Sequence, residues 1–177
     1  MNVIQRILVI GGGGAISQKK DTNQEATGNT SDDFLEALPS FTVKNVNLDF
    51  VKIYDEDSAN AGPKEWSMIA NLITEKHDQY DSFVVAFGMD TLTYLAAALS
   101  FALRNINKPV ILTAAAESIY KVNGDARTNI EDSLLAAAKN AYQGVCICID
   151  GCLIIGTRSH KLYNESTKYV EADINLS

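Results

Sequence analysis

Residues 80–100, YDSFVVAFGMDTLTYLAAALS, hold a strand, a turn and a helix that decide the fold. The apolar run FVVA at 83–86 contains β-branched residues and predicts a strand buried on both faces. Gly88 permits a sharp turn, and Asp90 stands at the expected N-cap of a helix whose leucines recur at helical spacing. The stretch therefore predicts a carboxylate at the carboxyl end of a parallel strand, where open α/β sheets bind ligands. Capping of the helix alone is the other role open to Asp90.

The chain repeats this pattern of strand and helix on either side. Further apolar runs predict strands at 6–10, 43–53, 110–113, 145–149 and 153–155. Pro63 predicts the start of one helix, and the capping box TNIE at 128–131 predicts the start of another that ends at Gly144. Asp150 and Gly151 are a hairpin turn signal between the last two strands. This order predicts an α/β fold, a doubly wound, mostly parallel flavodoxin-like sheet with an antiparallel β-hairpin at one edge.

Length and charge limit the classes of function. The 177 residues are 46% hydrophobic, which suits one domain of ordinary size with a substantial core. The net charge is −7, and Lys and Arg are not clustered on any element, which argues against a nucleic-acid partner. The longest apolar run near the N-terminus, residues 7–10, is too short for a signal peptide or a membrane span. We therefore expect a cytoplasmic protein without a membrane partner.

Three cysteines lie in one apolar stretch, at Cys146, Cys148 and Cys152. Cys146 and Cys148 alternate along a predicted strand and are expected to share one face, a spacing that also suits a metal site. The chain has only two histidines and the stretch is hydrophobic, so buried structural thiols are favoured over metal ligands. We expect no metal and no other cofactor.

Small and polar residues gather at the carboxyl edge of the predicted sheet. They come from four segments: residues 13–17, which include Gly14 and Ala15, residues 57–58, residues 90–91 and residues 114–116. Their hydroxyl, carboxylate and backbone amide groups suit a small ligand that bears amino and carboxylate groups. The glycine turn fits a dinucleotide fingerprint badly, because the third glycine position holds Ile16 or Ser17, and it lacks the ending of a P-loop. A nucleotide-binding module is therefore the least favoured function.

Four motifs of the chain occur in the order of a known family. GGGGAIS at 11–17 resembles the GTGGTIA of bacterial-type L-asparaginases, and FGMDT at 87–91 resembles their HGTDT segment. DSAN at 57–60 resembles their substrate-holding turn, and GTRSHKLYNE at 156–165 resembles the segment with their catalytic lysine. The likeness is greatest to the cytosolic type I branch and extends from Arg6 to Asn175. It implies one domain over residues 1–177 that corresponds to the family's N-terminal domain, with the smaller C-terminal domain absent.

The resemblance implies roles for eight residues. It assigns Asp90 and Lys161 as catalytic, and Gly14, Ala15, Asp57, Ser58, Met89 and Ala114 as substrate-binding. In the family, two threonines, an aspartate, a lysine and a lid tyrosine carry out hydrolysis of the side-chain amide. The two threonine positions fall on Ala15 and Met89, and the polar stretch at 18–31 contains no tyrosine. Alanine offers no nucleophilic oxygen, and methionine cannot take part in a proton relay.

Two functions follow from the resemblance and from the positions at which this chain differs from the family's motifs. The first is a divergent amidohydrolase acting on L-asparagine or a related amide, with Ser17, Thr91 or a threonine of the 18–31 stretch as substitute nucleophile. The second is a non-catalytic relative that binds a small amino acid or dicarboxylate, or serves as a subunit of a larger assembly. Family members close the pocket with a neighbouring subunit, so the resemblance also implies a homo-oligomer, a dimer or a tetramer.

Overall fold

The computed structural model describes residues 4–14, 16, 45–121, 123–161 and 170–172. One sheet contains six strands: β1 (Gln5–Gly12), β2 (Val46–Tyr54), β3 (Ser82–Phe87), β4 (Pro109–Thr113), β5 (Gly144–Ile149) and β6 (Cys152–Ile155). Their order is β2-β1-β3-β4-β5-β6. The first five strands are parallel, and β6 is antiparallel to β5. The predicted doubly wound sheet with a hairpin at one edge is therefore confirmed.

Helices cover both faces of this sheet. Helices α1 (Pro63–Lys76) and α2 (Leu92–Ala102) pack on one face, and α3 (Asp125–Ala138) packs on the other. β3 is buried along its whole length, because Val85 enters the core beside α1 and α2 while Val84 enters the core beside α3. This confirms the prediction of a strand buried on both faces. None of the helices in the described ranges is long and apolar enough to cross a membrane.

The hairpin between β5 and β6 turns at Asp150 and Gly151, as the sequence predicts. Both residues have positive φ, 51° and 71°, the backbone that a two-residue hairpin turn of type I′ requires. The turn therefore reverses the chain at the edge of the sheet and makes β6 antiparallel to its neighbour.

Two of the three cysteines are buried, and the third is exposed. Cys146 and Cys148 share the face of β5 that meets α3, whereas Cys152 at the start of β6 faces solvent. The prediction of a buried thiol is therefore wrong for Cys152, because β6 is the edge strand. Burial raises the pKa of Cys146 to about 12 and the pKa of Cys148 to about 11. Within the described residues, no cluster of metal-ligating side chains occurs.

A small antiparallel sheet lies beside α2. After β6 the chain makes a short turn at Gly156–Arg158, and a Cβ on Gly156 would come within 3.0 Å of the Ala96 carbonyl of α2. Glycine thus lets the chain cross close to the helix. Two strands, β7 (Ser159–Lys161) and β8 (Val170–Ala172), then pair with each other. This crossing brings Lys161 to the amino end of α2.

The start of α2 differs from the sequence prediction. The helix begins at Leu92 with Thr91 as its N-cap residue, and no side chain caps it. The prediction that Asp90 caps the helix is therefore wrong. The Asp90 carboxylate pairs instead with Lys161, a residue 71 positions away that no local pattern could indicate.

α3 begins earlier than the sequence predicts. It runs from Asp125 to Ala138, so the predicted capping box at 128–131 lies inside the helix and Gly144 belongs to β5. Asn129, a member of the predicted box, is buried and forms hydrogen bonds to two other segments. These long-range bonds determine its place in the helix more strongly than its local preference for a cap.

Candidate functional site

A cavity lies where the order of the strands reverses. β1 and β3 are neighbours in the sheet. From β1 the chain continues to β2 on one side, whereas from β3 it continues to β4 on the opposite side. Doubly wound sheets bind ligands at the carboxyl ends of two strands that diverge in this way. Here a cavity of about 250 Å³ is lined by Gly14 and by residues 57–58, 88–90 and 115–116. These residues follow β1, β2, β3 and β4, so four strand ends build one rim.

Glycines let three of these segments come into contact. Gly14 has a φ of 79°, and a Cβ at this position would collide with the backbone of Gly88. A Cβ on Gly88 would in turn collide with the side chain of Ser58. The loops after β1 and β3 therefore approach each other at backbone distance, and larger residues would push them apart. Gly88, which the sequence marks only as a turn, is thus part of the cavity wall.

Hydrogen bonds fix the same segments relative to one another. The Gly14 N–H donates to the Glu56 carbonyl at 3.2 Å, which joins the loop after β1 to the loop after β2. The Thr91 hydroxyl donates to the Ser58 carbonyl at 2.9 Å, which joins the loop after β3 to the same loop. The rim is therefore held in place before any ligand arrives, as a preorganised site requires.

The loop after β2 is ordered by its own side chains. Asp57 Oδ1 accepts from the Ala59 N–H at 2.9 Å and caps the short turn at Ser58–Asn60. The Tyr54 hydroxyl donates to the Asp57 carbonyl at 3.4 Å. Burial, and after it the charge of Glu56, raises the pKa of Tyr54, so the phenol keeps the proton that it donates. The Asp57 carboxylate is thus held at the mouth of the cavity.

Asp90 and Lys161 form an ion pair at the rim. Lys161 reaches Asp90 from β7, and its ammonium donates to Oδ1 of the carboxylate. The lysine side chain is 15% exposed and the aspartate side chain 58%, so the ammonium lies inside and the carboxylate faces the opening. The pair therefore supplies opposite charges beside the cavity.

The described chain brings most of the predicted site residues together. The residues that line the cavity are Gly14, Asp57, Ser58, Met89 and Asp90, and Lys161 contacts the last of them. Ala114 does not line the cavity, because its side chain is fully buried in the core on the side of α1 and α2. Ala115 and Ala116 line the cavity instead, since β4 ends at Thr113 and the chain bends at its carboxyl end.

Hydroxyl groups are scarce in the cavity. Among the described residues that line it, Ser58 is the one with a hydroxyl, and this residue is only 2% exposed. The hydroxyl of Thr91, a predicted substitute nucleophile, is engaged by the Ser58 carbonyl. Ala15 lies outside the described residues, as do Ser17 and the 18–31 stretch.

Residues 6–173 match the protein family described as Asparaginase, N-terminal. The chain belongs to this family. The L-asparaginase of Thermococcus kodakarensis is 31% identical to it over 159 residues, which cover 90% of this chain and 48% of that protein. L-asparaginase 1 of Escherichia coli K12 is 36% identical over 107 residues, which cover 60% of this chain and 32% of that protein. The resemblance inferred from four motifs is therefore confirmed.

The fold of this asparaginase-family chain also agrees with a solved structure. The thermostable L-asparaginase from Thermococcus kodakarensis superposes with a TM-score of 0.87 at 29% identity, covering 94% of this chain and 51% of that one. The chain thus spans about half the length of this relative.

Two side chains that sequence reasoning missed contact the wall of this cavity. Asn129 in α3 donates to the Ala114 carbonyl at 2.9 Å, and Asp125 accepts from the Ala116 N–H at 2.8 Å. The one available signal is an asparagine inside an otherwise alanine-rich helix. Asparagine is a weak helix former, and a buried amide requires partners from elsewhere in the fold.

Proposed function

We propose that this asparaginase-like domain binds a small amino acid or dicarboxylate in its cavity and lacks an effective amide-hydrolysing nucleophile. The observation that carries the proposal is the Lys161–Asp90 ion pair, which lies beside a cavity with a single hydroxyl side chain among its described lining residues. Charges suited to binding are therefore present, whereas the one hydroxyl among these residues belongs to Ser58, which is 2% exposed.

The rim is complementary to a ligand that carries both an ammonium and a carboxylate group. The carboxylates of Asp57 and Asp90 suit the ammonium group, and the Lys161 ammonium and Ser58 hydroxyl suit the carboxylate. The cavity holds about 250 Å³, which is below the roughly 300–1,000 Å³ of sites for drug-sized molecules. This volume favours a ligand of amino-acid size.

The residues at the two threonine positions of the family argue against hydrolysis. Ala15 has no side-chain oxygen, and the thioether of Met89 has no proton to donate. Met89 lines the cavity, so it occupies space beside the ion pair without contributing to proton transfer. Loss of a nucleophile generally leaves only the residual rate that binding and charge stabilisation supply.

Amide hydrolysis is the second candidate, and the Lys161–Asp90 pair is the observation that favours it. A lysine and an aspartate in contact can orient water or a hydroxyl and transfer its proton. The nucleophile would then come from another residue, such as Ser17, or from a bound water.

Calorimetric titration with L-aspartate and succinate, together with an assay for ammonia released from L-asparagine and L-glutamine, separates the candidates. We expect saturable heat with L-aspartate and no ammonia above the buffer rate. Lys161→Met is expected to abolish the heat. Lys121→Met is the matched control, because Lys121 is exposed, pairs with Glu117 and does not line the cavity.

The opposite results are equally informative. Ammonia release that is lost in Lys161→Met and kept in Lys121→Met would replace the proposed binding function by hydrolysis. Absence of both heat and ammonia for the wild-type protein would contradict both candidates.

We also propose that the domain forms a homo-oligomer through α2. The helix LTYLAAALSFA has no charged residue, and it exposes Tyr94 and Phe101 by 58% and 69%. A helix that is apolar on all sides is normally covered. Tyr94 and Phe101 lie on either side of Ala97 and Ala98, so antiparallel packing against a second copy would pair the unlike aromatic rings around small residues.

Light scattering tests this assembly. We expect at least the mass of a dimer for the wild-type protein and the mass of a monomer for Phe101→Glu. Ile4→Glu adds the same charge at another exposed apolar residue and is expected to leave the mass unchanged. A monomeric wild-type protein would contradict the proposal.

We propose the cytoplasm as the location of the protein. All three cysteines are free thiols, which suits a reducing compartment. Fractionation of cells that express the protein tests this, and recovery in the secreted fraction would contradict it.

A further inference from the structure

We infer that α3 positions the cavity wall at Ala115 and Ala116, with Asn129 and Asp125 as positioning residues for ligand binding. The inference rests on the proposed binding function, because it assigns a role in that site to residues that do not line the cavity. Its basis is a set of hydrogen bonds between these two side chains and the backbone of Ala114, Ala116 and Glu117.

Asn129 connects the end of β4 to the β5–β6 turn. Its Nδ2 donates to the Ala114 carbonyl at 2.9 Å, and its Oδ1 accepts from the Asp150 N–H at 3.1 Å. The residue is 2% exposed, so neither bond can be exchanged for one to bulk water without cost. Asparagine inside a helix lowers helix stability, and these long-range bonds offset that loss. The position of Asn129 inside α3 is therefore explained by its hydrogen bonds to Ala114 and Asp150.

Asp125 holds the next part of the same wall. Its Oδ2 accepts from the Ala116 N–H at 2.8 Å, and its Oδ1 accepts from the Glu117 N–H at 3.1 Å. A carboxylate that bonds two successive backbone amides fixes both the position and the rotation of that backbone. Asp125 and Asn129 are four residues apart, so they lie on the same side of α3 and act on one segment.

The consequence is a wall with little freedom to move. Its carbonyl at Ala114 and its N–H groups at Ala116 and Glu117 are engaged by α3. The wall therefore bounds the cavity, while Asp90 and its neighbours on the other lining segments recognise the charged groups of a ligand. Because a binding site must be held to within about 0.5 Å of its productive geometry, displacement of the wall is expected to weaken binding.

The experiment compares variants of α3 that affect the wall with one that does not. Asn129→Asp keeps the shape of the side chain and its acceptor for Asp150, but its carboxylate cannot donate to the Ala114 carbonyl. Asp125→Ala removes both acceptors at a partly exposed position. This variant provides the test of the inference if Asn129→Asp does not fold. Asp125→Asn keeps one acceptor oxygen and is expected to fall between Asp125→Ala and the wild type.

Ser133→Ala is the matched control. Its hydroxyl donates to the Asn129 carbonyl at 2.6 Å, so its loss weakens the buried part of α3 without removing a bond to the wall. Three quantities are measured for each variant: the Kd for L-aspartate by calorimetry, the Tm, and the amide exchange rates of Ala116 and Glu117 by NMR. The Kd distinguishes positioning from general loss of stability, because Ser133→Ala also lowers the Tm.

We expect binding of L-aspartate to be about tenfold weaker in Asn129→Asp and Asp125→Ala, and unchanged in Ser133→Ala. Exchange at Ala116 and Glu117 is expected to be faster in Asp125→Ala. Wild-type affinity in Asp125→Ala would overturn the inference. If the wild-type protein binds no L-aspartate, the proposed function fails, and the exchange rates decide: faster exchange supports α3 as the element that holds the wall, and unchanged exchange overturns it.

Discussion

The Lys161 ammonium donates a hydrogen bond to Oδ1 of Asp90 although 71 positions separate the two residues in the sequence. The contact joins β7 to the loop after β3, so it connects the small sheet to the rim of the cavity. Its two partners differ in exposure, since the lysine is largely buried and the aspartate is not. This difference leads to the first prediction.

Asp90→Ala is expected to lower the free energy of unfolding more than Lys161→Met does. The first change removes an acceptor from a largely buried ammonium, which costs about 1–3 kcal/mol. The second leaves a carboxylate that water solvates. Urea unfolding measures both, and Lys121→Met, which breaks an exposed pair, is expected to change stability by less than about 1 kcal/mol. A larger loss in Lys161→Met would contradict the assignment of the lysine as the buried partner.

Gly88→Ala is expected to destabilise the protein by about 1–3 kcal/mol and to weaken ligand binding, because the new methyl group collides with Ser58. Gly62→Ala is the control, since the nearest atom to a Cβ there is Glu65 Oε2 at 4.0 Å. The control is expected to cost less than about 1 kcal/mol, because Gly62 is the N-cap of α1 and alanine is less favourable there than glycine. Thermal unfolding with and without L-aspartate measures both effects. A tolerated alanine at 88 would show that the loops can separate.

Thr113→Val is expected to raise the free energy of unfolding by about 1 kcal/mol. The Thr113 hydroxyl is fully buried and has no hydrogen-bond partner among the described residues, so valine removes a polar group that was costly to bury. Ser133→Ala is expected to have the opposite sign, because the Ser133 hydroxyl donates to the Asn129 carbonyl. Urea denaturation of the two variants tests both expectations. A loss of stability in Thr113→Val would contradict the assignment of the Thr113 hydroxyl as a buried group without a partner among the described residues.

One thiol is expected to react quickly with a disulfide reagent in the folded protein at pH 8, and three in denaturant. Cys152 is exposed, whereas burial raises the pKa of Cys146 to about 12 and of Cys148 to about 11. Cys152→Ser is expected to abolish the fast reaction. More than one fast thiol in the native state would contradict the burial of β5.

The raised pKa values of the two buried cysteines also predict how the stability of the protein depends on pH. Both buried thiols have folded pKa values above their ordinary value of 9.0, so they ionise more easily in the unfolded chain. The contribution of the two buried thiols to the free energy of unfolding is therefore complete below pH 9 and is lost as the pH rises toward about 12. Unfolding in urea at a series of alkaline pH values measures this decline, and Cys146→Ala is expected to make it shallower.

The sheet was predictable because each of its strands has a local signature. The apolar run at 83–86 and the Asp150–Gly151 turn fix a buried strand and a hairpin without reference to the rest of the chain. The starts of α2 and α3 were not predictable in this way. Asp90 and Asn129 both have the local chemistry of helix caps, and partners distant in the sequence hold them in other roles.

The candidate site was predictable to the extent that it consists of strand ends. Topology brings Gly14, Ser58 and Asp90 to one rim, and this follows once the strand order is known. The contribution of Lys161 came from resemblance to a family, because a polar segment after a hairpin carries no signal of where it will pack. That Ala115 and Ala116 line the cavity and Ala114 does not depends on the path of the backbone beyond Thr113, which no pattern in the sequence encodes.

β7 gives the rim a polarity that the sheet alone would not have. The strand-end loops contribute the acidic Asp57 and Asp90, and the basic partner arrives on a peripheral two-stranded element. The strand-end loops alone would form an anionic mouth that attracts amines and repels carboxylates, and Lys161 on β7 makes the rim zwitterionic. The charge that the rim presents to a ligand is therefore set by β7 as well as by the strand-end loops.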